Sequence, residues 1–231
     1  MTSFNFLSLA LDARRITRGA PELLAARQRE RLNELVAFAR ANSRFYAEKY
    51  RGLPDTISDT RQLPPVTKPE LMEHFDEVIT DPAVRKADVQ KHIADLGNLG
   101  KPFLGKYMVW TTSGTTGAPG IFLEDKNWES VITAVNVLRI GGEWYNGDVI
   151  KGMLKAGGNS ASVFAGNGHF FGVTMLERQR QSNRSRAKRI QLIPVTLPIS
   201  EIVQRLNSLQ PAMFAGYASA LGLLAQEQLA G

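Results

Sequence analysis

The sequence predicts an α/β protein: a helical N-terminal subdomain over residues 1–100, then an alternating strand–helix layered sheet over residues 101–231. Three observations carry this. Apolar residues between 21 and 50 recur at helical spacing with charges between them. Short apolar runs such as "IFLE" and "QLIPV" are bounded by Gly, Pro or polar residues. After "DLGNLGKPFLGK" (95–106), strand-like and helix-like patterns take turns to the end of the chain. A length of 231 residues fits one to two domains, and 43% hydrophobic with 22% charged residues is ordinary globular composition.

Taken in order, "PELLAARQRERLNELVAFARANSRFYAEKY" (21–50) places Leu24, Leu32, Leu35, Val36 and Ala39 as an amphipathic helix, broken near Asn42 and Ser43. Thr67 followed by Lys68-Pro69 reads as a helix start. Tyr107 to Trp110 and "GIFLED" (120–125) read as strands, and "NWESVITAVNVLRIGGEW" (127–144) as a helix. "GDVIKGMLKAG" (147–157) is expected to be a strand and "NGHFFGVTMLERQR" (167–180) a helix. "RIQLIPV" (189–195) is a strand, "ISEIVQRLNSLQ" (199–210) a helix capped by Ser200, "PAMFAGY" (211–217) a strand and "SALGLLAQEQLA" (219–230) a helix. The sheet is expected to be largely parallel.

Composition excludes several chemistries. With no Cys, thiolate nucleophiles and disulfides are ruled out. His74, His92 and His169 lie far apart in sequence, without metal-ligand spacing, so no protein-held metal is expected. "MTSFNFLSLALDARR" (1–15) lacks the basic start and cleavage site of a leader, and no stretch approaches the length of a membrane span; a cytoplasmic protein without a membrane partner is the expectation. Of the net charge of +6, all resides in "RQRQSNRSRAKR" (178–189), which holds six basic residues and no acid. Without interleaved aromatics the run reads as a solvated loop, with RNA or cofactor phosphates as the alternative.

"YMVWTTSGTTGAPGIFLED" (107–125) sets Ser, Thr and Gly between two apolar runs. Glycines let backbone N–H groups converge on an anion, and Ser113, Thr115 and Thr116 add hydroxyl donors; hydrogen bonds to a charged group contribute about 1.5–3 kcal/mol each. A Walker loop needs Gly-Lys-Ser/Thr, whereas Gly114 is followed by "TTGAPG". A dinucleotide fingerprint opens a helix directly, whereas this loop runs through Pro119 into "IFLED".

"TSGTTGAP", with Asp125 after a short strand, resembles the phosphate-loop motif of adenylate-forming enzymes, the acyl-CoA synthetase superfamily. "RLNELVAFARANSRFYAEKY", "LPPVTKPELMEHF" and "PAMFAGYASALGLLAQE" resemble its phenylacetate-CoA ligase branch, which includes CapK-like and coenzyme F390 synthetase-like proteins. The resemblance spans about Arg29 to Gly231 and implies the large N-terminal domain of that superfamily, incomplete. It implies ATP-dependent activation of a carboxylic acid as acyl-AMP and transfer to coenzyme A, with Mg²⁺ carried on the nucleotide. By that likeness Thr112, Ser113, Gly114, Thr115, Thr116 and Gly117 hold the ATP phosphates, Thr115 and Thr116 acting in catalysis. "VFAGNGHFFG" aligns with the segment lining the acyl pocket, giving Phe164, Gly168, His169 and Phe171 as substrate-binding residues with Gly216 and Tyr217 opposite.

The family's adenine, ribose and lid-domain motifs have no counterpart before Gly231; "NGDV" (146–149) imitates the ribose motif but comes too early. The expectation is therefore the N-terminal part of a longer ligase, inactive alone and partnered by its C-terminal portion. Ala118 and Gly120 stand where many members carry Lys or Thr. A non-catalytic binding module that keeps the fold is the alternative from another class, and RNA binding through 178–189 a third.

Overall fold

The structure, a computed structural model, describes residues 6–114, 119–139, 146–155 and 157–230, without the side chains of Phe6, Arg139 and Arg186. It is a mixed α/β fold whose residues fall into two compact units. One draws on Met1–Lys91, Gly114–Gly120 and Asn127–Leu138; the other on His92–Ser113, Ile121–Lys126 and Arg139–Gly231.

The first unit is helical. α1 (Phe6–Arg18) precedes α2 (Pro21–Asn42), which starts with Pro at N1, where its missing N–H costs nothing. Val36 is its one buried residue, while Leu24 and Leu35 are exposed, so the expected apolar stripe is narrower than the sequence spacing implies. Ser43 makes the expected break. Its extended backbone ends α2, and its Oγ accepts from Tyr46 N at 3.3 Å to cap α3 (Arg44–Lys49) while donating to Glu77 O at 2.9 Å. α4 (Lys68–Glu73) begins in a reciprocal capping box, Thr67 Oγ1 accepting from Glu70 N and Glu70 accepting from Thr67 N. α5 (Phe75–Val78), α6 (Lys86–Ala94) and α7 (Lys126–Arg139) complete the helices introduced before the sheet. Val36, Phe45, Ile57, Phe75, Val84, Val89 and Ala134 supply buried apolar residues. Asn33 ties Ile57 in place: its Oδ1 accepts from Ile57 N at 2.6 Å and its Nδ2 donates to Ile57 O at 2.9 Å.

The second unit contains two sheets. β1 (Met108–Thr111) and β2 (Ile121–Glu124) pair antiparallel, Trp110 opposite Phe122. β3 (Ser160–Phe164), β4 (Ile190–Pro194) and β5 (Met213–Gly216) form a parallel sheet of order β4-β3-β5, Phe164 opposite Pro194 and Val163 opposite Gly216. The helices here are α8 (Gly147–Lys155), α9 (Phe171–Ser182), α10 (Arg184–Arg189), α11 (Ile199–Leu209) and α12 (Ala218–Ala230). Ala161 and Val163 of β3, Ile193 of β4, Ile202 of α11, and Ala220 and Leu224 of α12 form one core cluster.

Three expectations are corrected. Gly147–Lys155 of "GDVIKGMLKAG" is helical: Asn146 Oδ1 accepts from Asp148 N at 3.1 Å and Val149 N at 3.0 Å, satisfying orphan donors of a first turn that a strand would not have. The central strand of the parallel sheet is instead "SASVF", where Ser and Ala obscure the period-2 signal. Ser200 does not cap α11, which starts one residue earlier behind Pro198. The basic run is not a loop: α9 continues to Ser182, and Asn183 Oδ1 accepts from Ser185 N at 2.7 Å at the start of α10. Gln, Arg and Lys are good helix formers, and one Asn cap suffices to restart the helix.

Candidate functional site

In open sheets of parallel strands, ligands meet the carboxyl ends of the strands, where backbone groups and loop side chains converge. Here β3 ends at Phe164 and β5 at Gly216, followed by Tyr217. The Phe164 and Tyr217 rings meet edge-on, 5.3 Å between centroids at 77°. Gly172, in the first turn of α9, lies under the Phe164 ring so closely that a Cβ there would sit 3.2 Å from Cζ. Phe171 beside it contacts Trp110 edge-on at 5.3 Å, and Trp110 stacks on Phe122 at 4.4 Å and 14°. Phe171 and Tyr217 are 42% and 41% exposed, so this aromatic surface faces outward rather than filling the core.

Three of these residues, Phe164, Phe171 and Tyr217, are among those named from sequence; Gly216 lies at the same sheet edge, its own space limited by Val163 O, 3.0 Å from a built Cβ. Gly168 sits in the loop before α9, backed by the Phe170 ring. Trp110, Phe122 and Glu124 are additions. Glu124 is buried, and its Oε1 accepts from Trp110 Nε1 at 2.7 Å, which orients the indole. The signal for them was the alternation along 107–111 and 120–125, which puts Trp110 and Phe122 on one face once the strands pair.

Thr112 is half-buried, Ser113 exposed, and Gly114 has φ +68°, a left-handed conformation that glycine adopts without a Cβ penalty. Thr115, Thr116 and Gly117 lie outside the described residues. At the root of the loop, Thr111 N donates to His169 O at 2.7 Å, and Thr111 pairs with Phe170 in a parallel bridge. The strand that leads into the hydroxyl-rich loop is thereby fastened to the segment that leads into α9.

His169 itself points inward. Its side chain is 1% exposed, with its ring 5.9 Å from that of His92, which in turn meets Phe103 edge-on at 5.5 Å. Neither ring nitrogen of His169, nor Nε2 of His92, makes a well-formed hydrogen bond. Burial holds the pKa of both below the ordinary histidine value. For His92 the neighbouring His169 pushes the same way; the carbonyls of Asp95 and Val109 oppose the shift at His169, and that of Lys101 opposes it at His92. The Asp95 charge opposes the shift at both.

A groove of about 630 Å³, lined by Val149, Gly152, Lys155, Asn159 and Leu209 to Ala212, opens at the amino ends of β3 and β5, away from the aromatic surface. Among the described residues, Lys155 is the one charged side chain in its lining, and no acid–base pair is present there. Among the described residues no three His, Asp or Glu side chains gather as a metal site, and no helix is long and apolar enough to cross a membrane.

The arrangement can bind and position an apolar or aryl group; among its described residues there is no exposed acid–base pair. No family model matches the chain. No curated protein matches it either.

Proposed function

We propose that this chain is the nucleotide- and acyl-binding part of an ATP-dependent carboxylate–CoA ligase of the phenylacetate-CoA ligase type, acting on an aryl or other apolar acid. One observation carries the reading: the segment with the "TSGTTGAP" likeness leaves β1 next to a residue hydrogen-bonded to His169 O, in the segment that carries Phe171 to the sheet's carboxyl edge. Thr112 and Ser113, with the residues that follow, would donate to phosphate oxygens; magnesium would arrive on the nucleotide. Phe164, Phe171 and Tyr217 would hold the acyl tail by burial, worth about 25 cal/mol per Å² removed from water. Attack of a carboxylate on the α-phosphorus builds charge on the phosphate oxygens, and fixed donors stabilise that charge without reorganising. The chain's share of catalysis is positioning.

The test is thermal denaturation of the protein with Mg²⁺-ATP, alone and with a panel of aryl and alkyl carboxylic acids. A ligand at ten times its Kd stabilises by about 1.4 kcal/mol. Thr115→Ala with Thr116→Ala should abolish the shift caused by ATP and leave the melting of the free protein unchanged. No stabilisation by ATP at millimolar concentration, or an undiminished shift in the double variant, would refute the nucleotide reading. Acid-dependent exchange of pyrophosphate into ATP is the corresponding activity assay.

A further inference from the structure

The proposed ligase reading leaves the basic run unused, and the structure gives its cations unequal roles. Arg180 pairs with Glu177 at 2.7 Å, and Arg178 donates to Met108 Sδ at 3.1 Å; both serve the fold. Arg184, Lys188 and Arg189 on α10 are exposed, and no ion pair joins them to an acid among the described residues. Some exposed cations elsewhere do pair with carboxylates three or four residues away, as Arg31 does with Glu34 and Arg205 with Glu201. Helix stability does not account for the pattern either: Arg184 opens α10, where the positive end of the helix dipole disfavours a cation.

We propose that α10 docks the phosphate backbone of double-stranded nucleic acid. From Arg184 to Arg189 the helix rises about 7.5 Å, and at about 100° per residue Arg184, Lys188 and Arg189 fall within an arc of about 140° on its surface. A duplex presents one negative charge per about 1.7 Å of axis, enough over that length to meet each of the three. Ser185 and Ala187, also on α10, decide between partners. They offer no apolar anchor for a lipid surface and no aromatic ring on which unpaired bases would stack. Recognition is by backbone charge and carries no sequence preference.

The probe is a labelled 24-base-pair DNA duplex of mixed sequence, titrated with the full chain and read by fluorescence anisotropy. With about three phosphate contacts, affinity should fall about 40-fold between 50 and 200 mM NaCl. Arg184→Gln, Lys188→Gln and Arg189→Gln together should reduce that dependence to about twofold or less and weaken binding at 50 mM. Arg184→Lys with Arg189→Lys should retain both. Absence of binding at 50 mM, or salt-insensitive binding, would overturn the proposal. So would an equal loss when Arg14, Arg15 and Arg18 of α1 are changed to Gln instead, because net charge rather than α10 would then be responsible. Equal or tighter binding to phosphatidylserine vesicles or to single-stranded DNA would also overturn it.

Discussion

Acidification from pH 7.5 to 5.5 is expected to destabilise the second unit through His92 and His169. In the unfolded chain each titrates near pH 6.5, whereas burial holds both folded pKa values lower. Below that pH the unfolded chain therefore binds more protons than the folded one. The stability is fully present above about pH 6.5 and is lost as pH falls toward the folded values. If a ring stays neutral in the fold throughout, the loss at pH 5.5 is at most about 1.4 kcal/mol, or about 2.7 for the pair. That corresponds to a drop of about 5–10 °C in the melting midpoint. The assay is calorimetric or circular-dichroism melting in matched ionic strength at half-unit pH steps, kept above pH 5.5 so that carboxylates contribute little. His92→Phe with His169→Phe should melt at a nearly constant temperature across the range. At pH 7.5 it should be no less stable, because at least three of the four ring nitrogens removed lack well-formed hydrogen bonds. A wild-type midpoint that does not fall between pH 7.5 and 5.5, or a double variant that falls equally, would refute the reasoning.

Gly100→Ala is expected to cost more than about 2 kcal/mol by chemical denaturation, since φ is +75° and a Cβ would sit 2.7 Å from Arg178 N and 2.8 Å from the Glu177 carbonyl carbon; a change below 0.5 kcal/mol would show that the loop yields freely. Asn33→Ala should cost about 1–3 kcal/mol in the first unit, because it leaves both backbone groups of the fully buried Ile57 without their side-chain partner, and hydrogen exchange at Ile57 N–H should accelerate with it. Ile193→Ala, at the centre of the core cluster, should cost about 2–5 kcal/mol in the second unit, and an unchanged denaturation midpoint would contradict the packing described for β4.

Much of the local structure was legible because its causes are local. Thr67 with Lys68-Pro69 marks a helix start, and Asn42 with Ser43 marks the break between two helices. The Gly147–Lys155 helix was misread as a strand although Val149, Ile150, Met153 and Leu154 follow the i, i+1, i+4, i+5 spacing of a helix face, and the Asn146 cap that starts it is a matter of side-chain geometry. At the candidate site, Phe164, Phe171 and Tyr217 were nameable from sequence; Trp110, Phe122 and Glu124 were not, because their roles depend on which residue of β2 faces which of β1.

The sequence alone determined the α/β pattern, the hydroxyl- and glycine-rich segment after β1, and a net charge concentrated in one run, since each is a property of neighbouring residues. Tertiary structure decided the rest. Strand register set Trp110 on Phe122, and burial took His169 inward beside His92 despite their separation in the chain. Those outcomes depend on residues distant in sequence becoming neighbours, or on which groups lose contact with water, and neither is written in any local stretch.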